Sequence, residues 1–159
     1  MQQEVLSVAD RLAIREVVDL YFHGIDARDS DVLGDCFTDD VDFTLTLTKP
    51  LRLHGRSEVV DTIQRAVPRV SNHSFSNIRI WSDGGVVRSI THCVAIVGTS
   101  EEPGAEIHTR GIRYDDEWQC IVASADPVWK IRTRHHHVAW QYISPAAAVT
   151  RWVAEPQKR

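Results

Sequence analysis

The first part of the chain spaces its apolar residues as an α-helix does. Four of them recur every three or four positions and so lie on one helical face. Ser7 followed by Asp10 resembles a capping box and predicts where this helix begins. A short second helix is predicted after residue 28, capped by Asp29 or Ser30. The apolar stripe of the first helix consists of Ile14, Val18, Tyr21 and Ile25.

The pattern then changes to the alternation that is typical of strands. The segment "DDVDFTLTL" alternates apolar and polar residues and predicts a strand, which a third helix follows, with Ser57 as its N-cap and its end before Pro68. Four long strands are predicted next, the first two joined by the turn "SDGG". These strands cover "SNHSFSNIRIW", "VVRSITHCVAIVGT", "AEIHTRGIRYDDEWQCIV" and "VWKIRTRHHHVAWQYI".

Helices first and long antiparallel strands afterwards predict one α+β domain over residues 1–159. We expect partly irregular tails at residues 1–6 and 146–159, with a short helical turn in the second. A strongly curved sheet that wraps around the first helices would enclose one deep apolar pocket.

Composition and charge argue against several classes of function. The net charge is −4 and no basic tract occurs, which argues against a nucleic-acid-binding surface. The N-terminal residues lack the apolar core of a signal peptide, and no apolar run is long enough to cross a membrane. The three cysteines are odd in number and lack CxxC spacing. We therefore expect reduced thiols in a cytoplasmic protein.

Asp26 is the first candidate for chemistry, because it follows the buried stripe by one position. A partly desolvated carboxylate there needs a hydrogen-bond partner. His73 lies on the strand after the third helix and can approach Asp26 if the sheet curls over the first helix. The carboxylate would then fix the tautomer of the imidazole and make its other nitrogen a better general base.

Further polar and aromatic residues are candidates for the same site. Tyr21 is either an aromatic core residue or a hydrogen-bond donor inside the pocket. Arg134, if it points inward from the last strand, supplies a fixed positive charge for a developing anion. His92 is either a satisfied core histidine or a pocket residue, because it stands in an otherwise apolar strand. Substrate-binding residues are predicted to be His92, Phe22 and Phe43.

The run His135, His136 and His137 invites a metal interpretation. Strand alternation sends the first and third to one face, and His136 with Arg134 to the other. No HExxH or Cys/His frame supplies further ligands, so we predict no metal site. No GxGxxG motif, P-loop or GxSxG elbow occurs, and we predict no cofactor.

Nearly the whole chain resembles the SnoaL-like group of the nuclear-transport-factor-two-like superfamily. The resemblance rests on the order of "REVVDLYFHGIDARDSDVLGDCFTDDVDF", "HGRSEVVDTI", "SNHSFSNIRI" and "VWKIRTR". It implies a cone-shaped barrel, built from a strongly curved, mixed and mostly antiparallel sheet around N-terminal helices. Within the group the chain is most similar to cofactor-free lyases such as scytalone dehydratase, bile-acid 7-alpha-dehydratase and the lindane dehydrochlorinase.

The resemblance implies an Asp–His dyad at Asp26 and His73, with Tyr21 and Arg134 as further catalytic residues. We therefore expect a cofactor-independent, dehydratase-like lyase that acts on a small, hydrophobic, cyclic oxygenated substrate. A polyketide cyclase or isomerase with the same dyad is one alternative. Another is a non-catalytic subunit similar to the small subunit of ring-hydroxylating dioxygenases. The family also implies a homodimer or homotrimer, and neither the order of the oligomer nor the substrate can be read from the sequence.

Overall fold

The structure is a computed structural model that describes residues 6–46, 49–68, 70–100, 104–123 and 125–145. Three helices and six strands make up this part of the chain, as the α+β prediction requires. The helices are α1 (Val8–Ala27), α2 (Ser30–Asp35) and α3 (Arg56–Ala66). The strands are β1 (Phe37–Thr46), β2 (Pro50–His54), β3 (Val70–Asp83), β4 (Val86–Gly98), β5 (Glu106–Val122) and β6 (Val128–Pro145).

The ends of α1 follow from local chemistry. The Ser7 side chain accepts a hydrogen bond from the backbone N–H of Asp10, and the Asp10 side chain accepts one from the backbone of Ser7. This confirms the predicted capping box. The helix ends at Ala27, and its C-cap residue Arg28 adopts the left-handed conformation with φ 58°. Between these caps the predicted apolar stripe is buried against the sheet.

One mixed sheet forms the rest of the domain. Its strand order is β2-β1-β6-β5-β4-β3, and only the β1–β6 pair is parallel among the neighbours in this order. The sheet curls around the helices without closing, so α1 contacts both β3 at one edge and β6 near the other. Register shifts interrupt the pairing of β3 with β4 and of β5 with β6, and such bulges increase local bending.

Three details differ from the sequence prediction. Helix α3 begins at Arg56 and has Gly55 at its N-cap with φ 86°, so the predicted cap at Ser57 is wrong. Strand β2 was not predicted, because its sequence "PLRLH" begins with a proline and shows little apolar alternation. The predicted helical turn in the C-terminal tail falls on residues 146–159, outside the described residues.

The core lies between the helices and the concave face of the sheet. It joins the α1 stripe to apolar residues from α3 and from the inward-facing positions of β1, β4, β5 and β6. No helix among the described residues is long and apolar enough to span a membrane.

Gly24 allows α1 and α2 to approach closely. A Cβ atom at this position would lie 2.9 Å from the backbone nitrogen of Leu33 and 3.1 Å from its Cα. Gly34 in α2 is different, because a Cβ there would meet only the side chains of Arg56 and Val60, at 3.6 Å and 3.8 Å. Substitutions of the two glycines therefore make a matched test and control.

We predict that Gly24→Ala lowers the free energy of unfolding by about 1–3 kcal/mol, because backbone atoms of α2 must move. Gly34→Ala is expected to raise it by up to about 1 kcal/mol, since alanine favours the helix and finds room. Urea unfolding followed by circular dichroism measures both values. Equal effects of the two substitutions would contradict the close approach.

Candidate active site

A narrow cavity of about 70 Å³ lies inside the curl of the sheet. It is closed by α1 on one side and by the C-terminal end of α3 on another, and the sheet supplies the remaining wall. Its lining is mostly apolar, with few polar side chains. Those polar or aromatic polar residues are Tyr21, His73, Arg110, Tyr114 and His136.

Asp26 and His73 meet at the edge of this cavity. The Nδ1 atom of His73 lies 2.7 Å from Oδ1 of Asp26, and the backbone N–H of His73 donates to Oδ2 at 2.7 Å. The Ser71 hydroxyl donates to Oδ1 at 2.8 Å. Burial raises the pKa of Asp26, but the hydrogen bonds from His73 and Ser71 outweigh it and hold the pKa below its ordinary value.

These contacts determine the tautomer of His73. An ionised carboxylate only accepts hydrogen bonds, so the Nδ1 atom of His73 must carry the proton that faces Asp26. The imidazole is nearly buried, with 5% of the side chain exposed, and stacks on the Phe22 ring at 5.8 Å between centroids. In the neutral ring, Nε2 therefore has a lone pair, and among the described residues no hydrogen bond uses it.

A fully buried ion pair lies beneath the cavity wall. Arg134 is fully buried and donates from Nε and Nη2 to the two carboxylate oxygens of Asp116, at 2.7 Å and 2.8 Å. Its guanidinium carbon lies 4.1 Å from the Tyr21 ring centroid and 4.8 Å from that of Tyr114. Arg134 thus contacts the two cavity tyrosines but does not itself line the cavity.

The two tyrosines are neutral hydrogen-bond donors at neutral pH. Burial raises the pKa of Tyr21 to about 12, although the charge of Arg134 opposes this increase. Burial likewise raises the pKa of Tyr114 well above its ordinary value. The sequence analysis identified Tyr21 and missed Tyr114 and Asp116, although all three side chains are buried around Arg134.

His136 is a further polar residue that the sequence analysis did not assign to the site. It lies in the cavity wall, 7% exposed, with its ring at 5.3 Å from that of Tyr114. Its Nδ1 atom is buried and has no hydrogen-bond partner within the described residues. Burial lowers the pKa of His136 to about 4, so the ring is uncharged at neutral pH.

The predicted substrate-binding residues divide into three cases. Phe43 lines the cavity. Phe22 is buried behind His73 and supports the imidazole rather than lining the cavity. The prediction for His92 is wrong, because its side chain is exposed on the outer face of β4. Strand alternation was correct, but Thr91 and Cys93 occupy the inner face instead.

The triple histidine follows the predicted alternation. His136 is buried, while His135 and His137 are exposed and stack on each other outside the sheet. Over the ranges that the structure describes, no group of three His, Cys, Asp or Glu side chains is placed to hold a metal ion. The cysteines are free, and burial raises the pKa of Cys36 and of Cys93 to about 12, which disfavours a thiolate nucleophile.

Solved structures with the same fold include one protein named as a dehydrochlorinase and one named as a candidate dehydratase. A LinA-type hexachlorocyclohexane dehydrochlorinase from Novosphingobium barchaimii is 19% identical, with a TM-score of 0.69 over 92% of this chain and 96% of that chain. A candidate scytalone dehydratase from Novosphingobium aromaticivorans is 18% identical, with a TM-score of 0.67 over 96% of each chain. The ActVI-ORFA protein of Streptomyces coelicolor is 16% identical, with a TM-score of 0.64 over 81% of this chain and 96% of that one. At these identities the likeness shows the fold alone.

Sequence comparison identifies the family. No protein among those with curated descriptions is similar to this sequence. The SnoaL-like domain matches residues 6–135, which is most of the chain and contains both members of the Asp26–His73 pair. The chain therefore belongs to the SnoaL-like domain family, as the sequence motifs predicted.

Proposed function

We propose that the protein is a cofactor-independent lyase that removes a proton from a small cyclic substrate and eliminates a leaving group from the adjacent carbon. One observation carries this proposal. The imidazole of His73 is hydrogen-bonded to the Asp26 carboxylate through Nδ1 and lies in the wall of an apolar cavity. That arrangement leaves Nε2 as the proton acceptor.

His73 is the general base in this proposal. Its Nε2 takes a proton from a carbon that a neighbouring carbonyl or halogen has made acidic, and the imidazole becomes an imidazolium. Asp26 holds the ring in the reactive tautomer and stabilises the positive charge as it forms. A base of this kind contributes about 10²–10⁴-fold to the rate. Ser71 and the backbone N–H of His73 keep Asp26 ionised.

Tyr21 is the acid that assists the other half of the reaction. It is neutral and faces the cavity, so it can donate to an enolate oxygen or to a departing hydroxide. Arg134 acts through this residue, because its guanidinium contacts the Tyr21 ring while its charge is balanced by Asp116. A direct contact between Arg134 and the substrate, which the sequence analysis favoured, does not fit its position behind the tyrosines.

The neighbours with solved structures agree with elimination. One acts, by its name, in the dehydrochlorination of hexachlorocyclohexane, and another carries the name of a dehydratase. Both reactions remove a proton and a leaving group from a ring.

The central prediction concerns His73. We expect His73→Ala to lower kcat by about 10²–10⁴-fold, because the proton acceptor is lost. The assay follows two small probes: dehydration of 3-hydroxycyclohexanone, by the absorbance of the enone, and chloride release from hexachlorocyclohexane. His92→Ala is the matched control, since this histidine is exposed on the outer face. Unchanged turnover in His73→Ala would remove the proposal.

The same assay in deuterium oxide separates elimination from a cyclase or isomerase reaction. An enzyme that only transfers protons replaces the α-hydrogen of cyclohexanone, which has no leaving group, with deuterium. Such an enzyme eliminates no water from 3-hydroxycyclohexanone. A lyase produces the enone at a rate that depends on His73. Exchange without enone formation would favour the isomerase alternative.

A second prediction concerns Asp116. Asp116→Asn leaves the fully buried charge of Arg134 without a carboxylate, and we expect the free energy of unfolding to fall by about 3–5 kcal/mol. Asp115→Asn is the control: this neighbour on β5 pairs with the outer-face residue Arg113, and we expect a loss below about 1 kcal/mol. Chemical unfolding at neutral pH measures both, and similar losses would contradict the buried pair.

A third prediction uses the protonation of His136. Its pKa of about 4 in the folded protein lies below the ordinary value of 6.5, so as the pH falls through this window the unfolded chain binds the proton first. The contribution of His136 should therefore lower the stability by up to about 3 kcal/mol between pH 6.5 and pH 4, and this contribution should be constant below that range. His136→Gln should remove this part of the pH dependence.

Urea unfolding at several pH values checks the prediction. His137→Gln is the control, because that residue is exposed on the next position of the same strand. Its profile should match that of the original protein. A profile for His136→Gln that keeps the full slope between pH 4 and pH 6.5 would show that His136 titrates normally.

A further inference from the structure

Arg110 is a cavity residue that the mechanism above does not use. It lies on β5, half-buried, and its side chain forms part of the cavity lining. Its Nε donates to Oε1 of Gln141 at 2.7 Å, and its Nη2 donates to Nδ1 of His108 at 3.3 Å. No hydrogen bond within the described residues uses Nη1.

The charge of Arg110 has no carboxylate partner among the described residues. Glu106 on the same strand contacts His108 instead, whose Nε2 lies 3.1 Å from Oε2 of Glu106. Because Nδ1 of His108 accepts from Arg110, Nε2 of the neutral ring carries the proton and donates to Glu106. Arg110 therefore donates to an unprotonated ring nitrogen of a neutral histidine. Burial lowers the pKa of Arg110.

The other charges of the site are balanced differently. The carboxylate of Asp26 accepts hydrogen bonds from His73 and Ser71, and Arg134 is neutralised by Asp116. In the described part of the site, Arg110 is thus the cation that lacks a counter-charge. A half-buried guanidinium in an apolar lining is costly unless an anion pairs with it.

The sheet register places Arg110 across the cavity from the proposed base. His73 on β3 pairs with Ala95 on β4, and Ala95 pairs with Arg110 on β5. The three residues form one transverse row, and adjacent strands lie about 4.8 Å apart, so the outer two backbones are separated by about 10 Å. The small side chain of Ala95 leaves the space between them open, and Ala95 also lines the cavity.

We propose that Arg110 binds a carboxylate of the substrate, so that the substrates of this protein are small cyclic carboxylic acids held with the ring over Ala95 and the reacting carbon toward His73. The planar guanidinium pairs with a carboxylate through two hydrogen bonds, and Nη1 is available for one of them. Asp26 at the opposite end repels the same anion, so only one orientation in the cavity satisfies both charges. This inference names the substrate class and rests on the lyase function proposed above.

Binding of benzoate and benzamide at pH 7 tests the inference without any turnover. The two probes have nearly the same shape, and only benzoate is charged. We expect the intact protein to bind benzoate at least about tenfold more tightly than benzamide in a titration followed by ¹H–¹⁵N correlation spectra. Arg110→Gln should abolish this preference, and Arg110→Lys should keep part of it because the charge remains.

Arg113→Gln is the matched control, because Arg113 is exposed on the outer face of the same strand and pairs with Asp115. It should keep the full preference for benzoate. Thermal unfolding of each variant verifies that the fold is intact, as expected for a half-exposed residue such as Arg110.

Four results would overturn the inference: no detectable binding of benzoate, equal binding of the two probes, a preference that survives Arg110→Gln, or displacement of benzoate by equimolar acetate or inorganic phosphate. The last result would indicate a general anion site without recognition of the ring. His73→Ala separates the two proposals, because it should keep the benzoate preference while losing turnover. Unchanged turnover in His73→Ala, with the preference intact, would refute His73 as the base of the proposed reaction and leave the binding role of Arg110 standing.

Discussion

The hydrogen-bonded contact between Asp26 and His73 is the constraint on which the arrangement of the site depends. Asp26 stands at the end of α1, and His73 stands on the edge strand β3 of the sheet. The carboxylate accepts both the ring and the backbone N–H of the same histidine, so it fixes the side chain and the strand together. A carboxylate that was half-buried without these partners would be costly. The same contact thus holds the edge strand over the first helix and orients the imidazole.

The buried ionisable side chains around the cavity are accommodated in two ways. Arg134 and Asp116 form a bidentate pair with no exposure to solvent, and this pair supports the two tyrosines that face the cavity. His136 is instead kept neutral by burial. Apart from Arg110, the site therefore combines an imidazole and neutral donors with balanced buried charges, which would suit the proposed abstraction of a proton from carbon.

Much of the fold was predictable because its signals are local. The capping box of Ser7 and Asp10, the apolar stripe of α1 and the "SDGG" turn each depend on residues that are close in sequence. The contact between Asp26 and His73 was predicted through the family resemblance, since 46 intervening residues separate the pair and only the folded sheet brings them together. The prediction for His92 was wrong because strand alternation assigns residues to two faces without saying which face points inward.

The residues that were missed share one property: their importance depends on partners from other strands. Asp116 alternates with Tyr114 and Trp118 along β5, so a carboxylate in a buried row was a signal that a cation must face it. His136 shares a face with Arg134 and was assigned to that face correctly, but its place in the cavity wall depends on the pairing of β6 with β5. The role proposed for Arg110 likewise emerges only from the transverse row that links it to His73.

The tautomer of His73 is the most direct test of this account. Long-range ¹H–¹⁵N correlation spectra of protein labelled at its eight histidines, assigned with His73→Gln, identify which ring nitrogen carries the proton at neutral pH. The account predicts a proton on Nδ1 and an unprotonated Nε2, with this pattern lost in Asp26→Ala. A proton on Nε2 with Nδ1 bare would leave His73 without a proton acceptor that faces the cavity and would contradict the central claim.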